Sequence, residues 1–339
     1  MPSPTVVVTE PEFKRAPEVF TSSPDMTFVA APHTEAELSA AIRKERAGHV
    51  VLGPMPYTGR LYEAVPRGGV LARYGVGHDG IDKGRATGAG LLCTNTPGVL
   101  HQSVAELTML LILAAARHLT AVGGSMRAGR WAPETGVELQ GKTLAIVGCG
   151  TIGRAAARIA SVGFGMRTIG VRRSAGARNA GGQEFHATTD DYAGAVRDAD
   201  YVSLHIPALP ENVQFLNRDR LALLPPRAWL INTARGTVVD EAALYDVVAE
   251  KRIAGAALDV YVNEPYVPVN PGRDLRTLSD VILLPHVGSN TADANRRMAE
   301  RALANIRLAE AGDFAAMDLL NPEVLERRSG GQEVRRKDS

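Results

Sequence analysis

Three residues in the second half of the chain stand just past predicted strands and carry side chains able to work together: Arg235, Glu264 and His286. Arg235 follows the run over 229–234, Glu264 follows 256–260 through a short stretch, and His286 follows 281–284 after Pro285. Ligands of open α/β sheets bind outside the carboxyl ends of the strands. One guanidinium, one carboxylate and one imidazole at that rim therefore read as a constellation. A guanidinium can hold a carboxylate and polarise a neighbouring carbonyl through two oxygens at once. An imidazole titrates near neutral pH and can protonate a developing alkoxide. A nearby carboxylate orients the ring and favours its charged form. Reduction of a 2-keto acid needs this set. Singly, each has a plainer reading: His286 as a structural histidine, Arg235 as an ion-pair residue.

A second motif supplies the missing reductant. Gly148-Cys149-Gly150-Thr151-Ile152-Gly153 is G-x-G-x-x-G, and it ends a predicted strand at 143–147 and opens a predicted helix at 154–162. That context marks a dinucleotide-binding turn. Gly148 permits the turn, Gly150 lets the backbone approach a pyrophosphate, and Gly153 lets helix and strand pack closely. The next strand ends Ile169-Gly-Val-Arg172-Arg173-Ser174, without the acid that would bond ribose hydroxyls. Two guanidiniums and a hydroxyl suit a ribose 2′-phosphate, so NADP is expected ahead of NAD. A solvated basic turn is the plainer alternative. For Asp259, a buried structural carboxylate and a ligand of the nicotinamide carboxamide stay equally open.

The elements that must position these groups form two series. Strands are expected over 6–8, 27–30, 50–52, 70–73 and 91–94, with a helix over 35–47. After the breaker Asn95-Thr-Pro-Gly98 comes a long helix over 102–119, placed at a junction between domains, with Ser103 as N-cap and Glu106 completing a capping box. The stretch 123–140 reads as a polar connection. A second series follows: strands over 143–148, 167–171, 201–206, 229–234, 256–260 and 281–284, and helices over 151–162, 240–252 and 290–311. Strands alternating with helices imply doubly wound parallel sheets, an α/β fold. The charged tail over 327–339 is expected to stay unstructured.

Composition bounds the rest. A chain of 339 residues is about two domains long. Its 38 Lys+Arg balance 37 Asp+Glu, which argues against a nucleic-acid binder. Residues 1–17 do not read as a signal peptide, and the apolar run over 107–116 is too short to span a bilayer at about 20 residues. Two cysteines, Cys93 and Cys149, suit a reducing compartment, so the expectation is a cytoplasmic protein without membrane attachment or metal site.

From about Leu71 to Met298 the motifs, in order, resemble the D-isomer-specific 2-hydroxyacid dehydrogenase family. Ala72-Arg-Tyr-Gly75-Val-Gly77-His-Asp79-Gly-Ile-Asp82 looks like the family's substrate loop, and the likeness implies that the amides of Val76 and Gly77 hold the substrate carboxylate. Asn95-Thr-Pro-Gly98 with Ser103-Val-Ala-Glu-Leu107 resembles the crossover, and Leu139-Gln-Gly-Lys-Thr-Leu144 the lead-in to the cofactor strand. His205-Ile206-Pro207 looks like the cofactor-contacting turn, and Ile231-Asn-Thr233-Ala234-Arg235-Gly236, Ala257-Leu-Asp259-Val260, Glu264-Pro265 and Pro285-His286-Val-Gly-Ser289 carry the family's Arg, Asp, Glu and His. The resemblance implies two Rossmann-like α/β domains with the active site in their cleft. Residues 1–100 and 288–339 would form a flavodoxin-like substrate domain, and 101–287 the dinucleotide-binding domain. It also implies a homodimer reducing glyoxylate, hydroxypyruvate or a related acid. Arg172 departs from NAD-using members, and Tyr261-Val-Asn-Glu264 differs from the commoner aromatic-rich form. The competing reading is a dinucleotide-sensing interaction protein, since a co-repressor family keeps a similar residue set. A substrate pocket near Tyr57, Tyr74, His101, Trp131 and Tyr266 is also expected.

Overall fold

Short runs of Val, Ile, Leu and Ala that are apolar on both faces cannot lie on a surface, and they build two parallel sheets here. The computed structural model describes residues 3–173 and 184–326, which divide into two units. Met1–Leu100 with Ser289–Ser339 make the first unit, and His101–Gly288 the second.

In the first unit β1 (Thr5–Thr9), β2 (Thr27–Ala31), β3 (His49–Leu52), β4 (Val70–Arg73) and β5 (Leu92–Thr94) stand in the order β2-β1-β3-β4-β5. This is the 2-1-3-4-5 order of flavodoxin-type sheets. Val7, Val50, Leu52 and Leu71 pack against Leu38 and Ile42 of the helix Glu35–Glu45. The chain returns to this unit at its far end. The helix Ala292–Ala311, N-capped by Thr291, packs against β4, and the Asn321 amide bonds the backbone on either side of Leu92.

In the second unit β6 (Thr143–Val147), β7 (Arg167–Val171), β8 (Ala187–Thr189), β9 (Tyr201–Leu204), β10 (Trp229–Asn232), β11 (Gly255–Leu258) and β12 (Val281–Leu283) run β12-β11-β10-β9-β6-β7-β8. Counting from β6, this is the Rossmann order 3-2-1-4-5-6 with one added edge strand, and the order reverses between β6 and β9. Successive residues of β6 go to opposite layers. Leu144 and Ile146 meet the helix His101–Ala116, whereas Ala145 and Val147 join Val202, Leu204 and Leu230 of the neighbouring strands in the core on the opposite face. Ala105 packs on Ala155 and Ala156 of the helix Thr151–Arg158, small residues that let the two helices approach.

Several expectations give way. β9, β10 and β11 each stop two residues early, and the released residues turn into the rim. The long helix starts at His101, so Ser103 lies inside its first turn and is no N-cap. Glu106 instead accepts from Gln102 Nε2 at 2.7 Å. That helix ends at Ala116, and a second one, Leu119–Arg127, continues at 68° through what reads as a polar connection. The helix over 151–162 is α-helical only to Arg158, and Ile159–Gly163 forms a wider π turn. β8 was not anticipated. Among the described residues no single helix is long and apolar enough to cross a membrane. Ser174 and the tail over 327–339 lie outside the described residues.

Candidate active site

The second unit's strands deliver the three strand-end residues to one rim, each through a different local device. After β10, the buried Asn232 side chain folds the chain back on itself. Its Oδ1 accepts from the Ala234 N–H at 3.0 Å and its Nδ2 donates to the Arg235 carbonyl at 2.9 Å. Arg235 is thereby held extended and half-buried, with Nη1 donating to the Ala234 carbonyl at 2.7 Å. Gly236 then passes so close to the Tyr261–Val262 backbone that any Cβ would overlap it. That contact brings the Arg235 turn against the loop carrying Glu264.

Glu264 is set by its own loop: its Oε1 accepts from the Tyr261 N–H at 3.0 Å. A buried neighbour, Glu241, holds the next residue, with Oε2 accepting from the Val262 N–H at 3.2 Å. Glu264 Oε2 meets His286 Nδ1 at 2.6 Å, with both side chains 34% exposed. Burial pushes the Glu264 carboxyl up, but the hydrogen bond and charge of His286, the Tyr261 N–H and the Arg235 guanidinium together hold it below its ordinary value. Arg235, Glu264 and His286 thus form one electrostatic group.

His286 adopts φ 53°, a left-handed backbone that costs a non-glycine residue about 1–3 kcal/mol. Asp259 accounts for its persistence. The Asp259 side chain is 0% exposed, its Oδ1 accepts from the Val287 N–H and its Oδ2 from the Gly288 N–H, both at 2.8 Å. Burial raises the Asp259 carboxyl, opposed by those two bonds and by the charge of His286. The bonded partners of Asp259 are therefore backbone amides of the loop that carries His286.

The glycine turn sits where the strand order reverses. A Cβ on Gly148 would overlap the His205 carbonyl, and one on Gly153 would overlap the Gly148 carbonyl, so both glycines are required by close approach. Gly150 caps the helix Thr151–Arg158 without a side-chain bond and has open space where its Cβ would stand. The first-turn N–H groups of Thr151, Ile152 and Gly153 are left for an outside acceptor. Burial raises the Cys149 thiol, and the guanidiniums of Arg172 and Arg154 oppose it, which places two cations beside this turn. Open backbone, free amides and positive charge fit a dinucleotide's phosphates.

The remaining candidates divide. Arg173 is engaged: Nη1 donates to Glu211 Oε1 at 2.9 Å and Nη2 to Asn212 Oδ1 at 2.8 Å. Thr233 is buried, with its hydroxyl 3.1 Å from Thr108, whose own proton goes to the Val104 carbonyl. Ile206 is half-buried against the core and Pro207 is exposed with its carbonyl taken by Asn212 Nδ2. Val76 and Gly77 lie after β4 in the first unit, in a loop tied by Asn95 Nδ2 to the Val76 carbonyl at 2.8 Å. Tyr57 and Tyr74 are core residues of that unit rather than pocket walls, since Tyr74 donates to the Asn295 carbonyl at 2.6 Å. Tyr266 packs against Tyr261 with the rings tilted at 49°, and Trp131 is 85% exposed. Arg154, Glu211, Asn212, Asn232 and Glu241 carry parts of this arrangement and were missed. Only Arg154, three residues past Thr151 in an otherwise apolar helix start, gave a signal in the sequence.

Residues 109–288 match the model of the D-isomer specific 2-hydroxyacid dehydrogenase NAD-binding domain. The glyoxylate reductase of Thermococcus litoralis is 38% identical over 274 residues, 78% of this chain and 80% of that protein. That of Pyrococcus furiosus is 38% identical over 280 residues, 80% of this chain and 81% of the relative. Among solved structures, an NADPH-dependent glyoxylate/hydroxypyruvate reductase from Sinorhizobium meliloti, in complex with NADP and malonate, superposes with a TM-score of 0.76 at 31% identity. That match covers 90% of this chain and 93% of the other. A D-lactate dehydrogenase from Aquifex aeolicus shares the fold at a TM-score of 0.80 and 23% identity. With a dinucleotide turn at the switch point of a Rossmann sheet and an Arg–Glu–His group on its rim, this chain belongs to the D-isomer-specific 2-hydroxyacid dehydrogenases and is an NAD(P)-dependent enzyme of that family.

Proposed function

We propose that the chain reduces a small 2-keto acid, glyoxylate or hydroxypyruvate or a close relative, with NADPH preferred over NADH. The 2.6 Å contact between His286 and Glu264, beside Arg235, carries this reading. The names of the relatives support the substrate class. The cationic end of β7, with Arg172 beside the glycine turn and no acid there, supports the cofactor.

In this reading the turn 148–153 and Arg172 hold the dinucleotide, with Ile206, Pro207, Thr233 and Ala234 along its flank. When bound, a reduced nicotinamide supplies the hydride. Arg235 engages the substrate's carboxylate and carbonyl oxygens as a fork and draws charge onto the carbonyl oxygen. Since Nδ1 of His286 is committed to Glu264, Nε2 delivers the proton to the alkoxide. Glu264, ionised below its ordinary range, balances the imidazolium before transfer and fixes the ring afterwards. Asp259 keeps the imidazole in place through the loop backbone.

The test is a panel of 2-keto acids assayed with NADPH and with NADH, in the parent and in His286→Asn. A general acid contributes about 10²–10⁴ in rate, so turnover should fall at least about 100-fold while cofactor still binds. Full turnover in the variant, with chemistry rate-limiting, removes His286 from the role. Equal use of the two cofactors removes the NADP assignment.

A further inference from the structure

The turns after β7 and β9 flank the end of β6, because the sheet runs β9-β6-β7. Arg173 crosses that gap in front of the glycine turn and grips the far side at two points. The two grips differ in kind. Asn212 is 3% exposed, and its Nδ2 donates to the Pro207 carbonyl at 2.8 Å, which fixes its Oδ1 toward Arg173. Glu211 is an exposed carboxylate, kept ionised by its own backbone N–H and by the Arg173 guanidinium. One arm of the guanidinium is thus tethered to a rigid neutral acceptor, and the other is occupied by an anion.

We propose that Glu211 determines cofactor selectivity by occupying the part of Arg173 that a ribose 2′-phosphate would take. The inference rests on the reading of this basic turn as the 2′-phosphate site. A phosphate arriving there must displace Glu211 from Nη1 and then lie beside the released carboxylate. Both effects weaken NADP binding. A cofactor with a plain 2′-hydroxyl meets neither, so Glu211 narrows the gap between NADP and NAD. The Asn212 bond can persist throughout, so Arg173 has only to exchange one partner and need not reorient.

Calorimetric titration of the full chain with NADP+ and with NAD+ tests this in the parent, Glu211→Gln, Arg173→Ala and the double variant. Glu211→Gln keeps the size and removes the charge. NADP+ should then bind about threefold to fivefold tighter, the range that release of one exposed ion pair allows, with NAD+ changed less than twofold. In the Arg173→Ala background the gain should be clearly smaller, since only repulsion between Glu211 and the phosphate is left to relieve. Unchanged or weaker NADP+ binding by Glu211→Gln overturns the proposal, as does an equal gain without Arg173, which would make Glu211 only a distant charge. Failure of the underlying reading shows separately, in the parent: NAD+ bound more tightly than NADP+, with no loss of NADP+ affinity in Arg172→Asp. That result removes the phosphate site and the proposal with it.

Discussion

Asp259→Asn is the sharpest probe of how the imidazole is held. In the parent, each carboxylate oxygen takes one N–H of the loop, from Val287 and Gly288, at full burial. An amide keeps one of those oxygens and sets an NH2 group against the other N–H. Stranding a buried donor costs about 1–3 kcal/mol. For a unit the size of His101–Gly288, each kcal/mol lowers the melting temperature by about 2–4 °C, so a fall of roughly 2–12 °C is expected. The loss strikes where His286 already carries about 1–3 kcal/mol of backbone strain, so the loop should relax away from φ 53°. Displacing a reacting group by about 1 Å can cost about 100-fold, and kcat/KM should fall on that scale. Melting, kcat/KM with glyoxylate or hydroxypyruvate, and cofactor Kd are measured on one preparation. An unchanged melting temperature with Kd weakened tenfold would refute the clamp and make Asp259 a ligand of the nicotinamide carboxamide.

Other outcomes follow from the same geometry. Arg235→Lys keeps the charge and loses the fork, so kcat/KM should drop at least about tenfold; parent-like kinetics would mean a point charge suffices. Gly236→Ala places a methyl group into the Tyr261–Val262 backbone and should cost about 1–3 kcal/mol of stability, read by denaturant unfolding, together with activity, since it parts Arg235 from Glu264. The Glu264 carboxyl is depressed in the folded state, so its contribution to stability is fully present above its ordinary value of 4.5 and is lost as pH falls through the lower folded value. The melting difference between parent and Glu264→Gln should therefore shrink on acidification below 4.5, and a constant gap down to pH 3 would contradict the pairing.

The parts of this molecule legible in the sequence are those with short-range causes. Apolar runs bounded by Gly, Pro and Asp marked eleven of the twelve strands among the described residues, and the glycine spacing with its flanking strand and helix marked the dinucleotide turn. The gathering of Arg235, Glu264 and His286 at one rim was readable because residues just past the ends of parallel strands share one edge of the sheet. The helix Leu119–Arg127 was hidden by Gly123 and Gly124, poor helix formers, and none of its residues is buried to mark a core-facing stripe. β8, only Ala187–Thr189, is too short to show a period. Side-chain commitments were out of reach altogether. Nothing near Arg173 indicates that Glu211, 38 positions on, will claim it, because the pairing depends on β9 lying two strands from β7.

The sheet order of the second unit also divides labour. Arg235, Glu264 and His286 follow β10, β11 and β12, while the glycine turn and the basic turn follow β6 and β7, with β9 between the two groups. On the function proposed above, reaction chemistry and cofactor choice therefore occupy separate halves of one sheet. Substitutions well apart and without shared partners combine additively. If Arg172, Arg173 and Glu211 set the cofactor as proposed, a lineage, or an engineer, can retune which dinucleotide is accepted while the proposed proton-transfer group is inherited intact, so redox partner and substrate chemistry can diverge along independent routes.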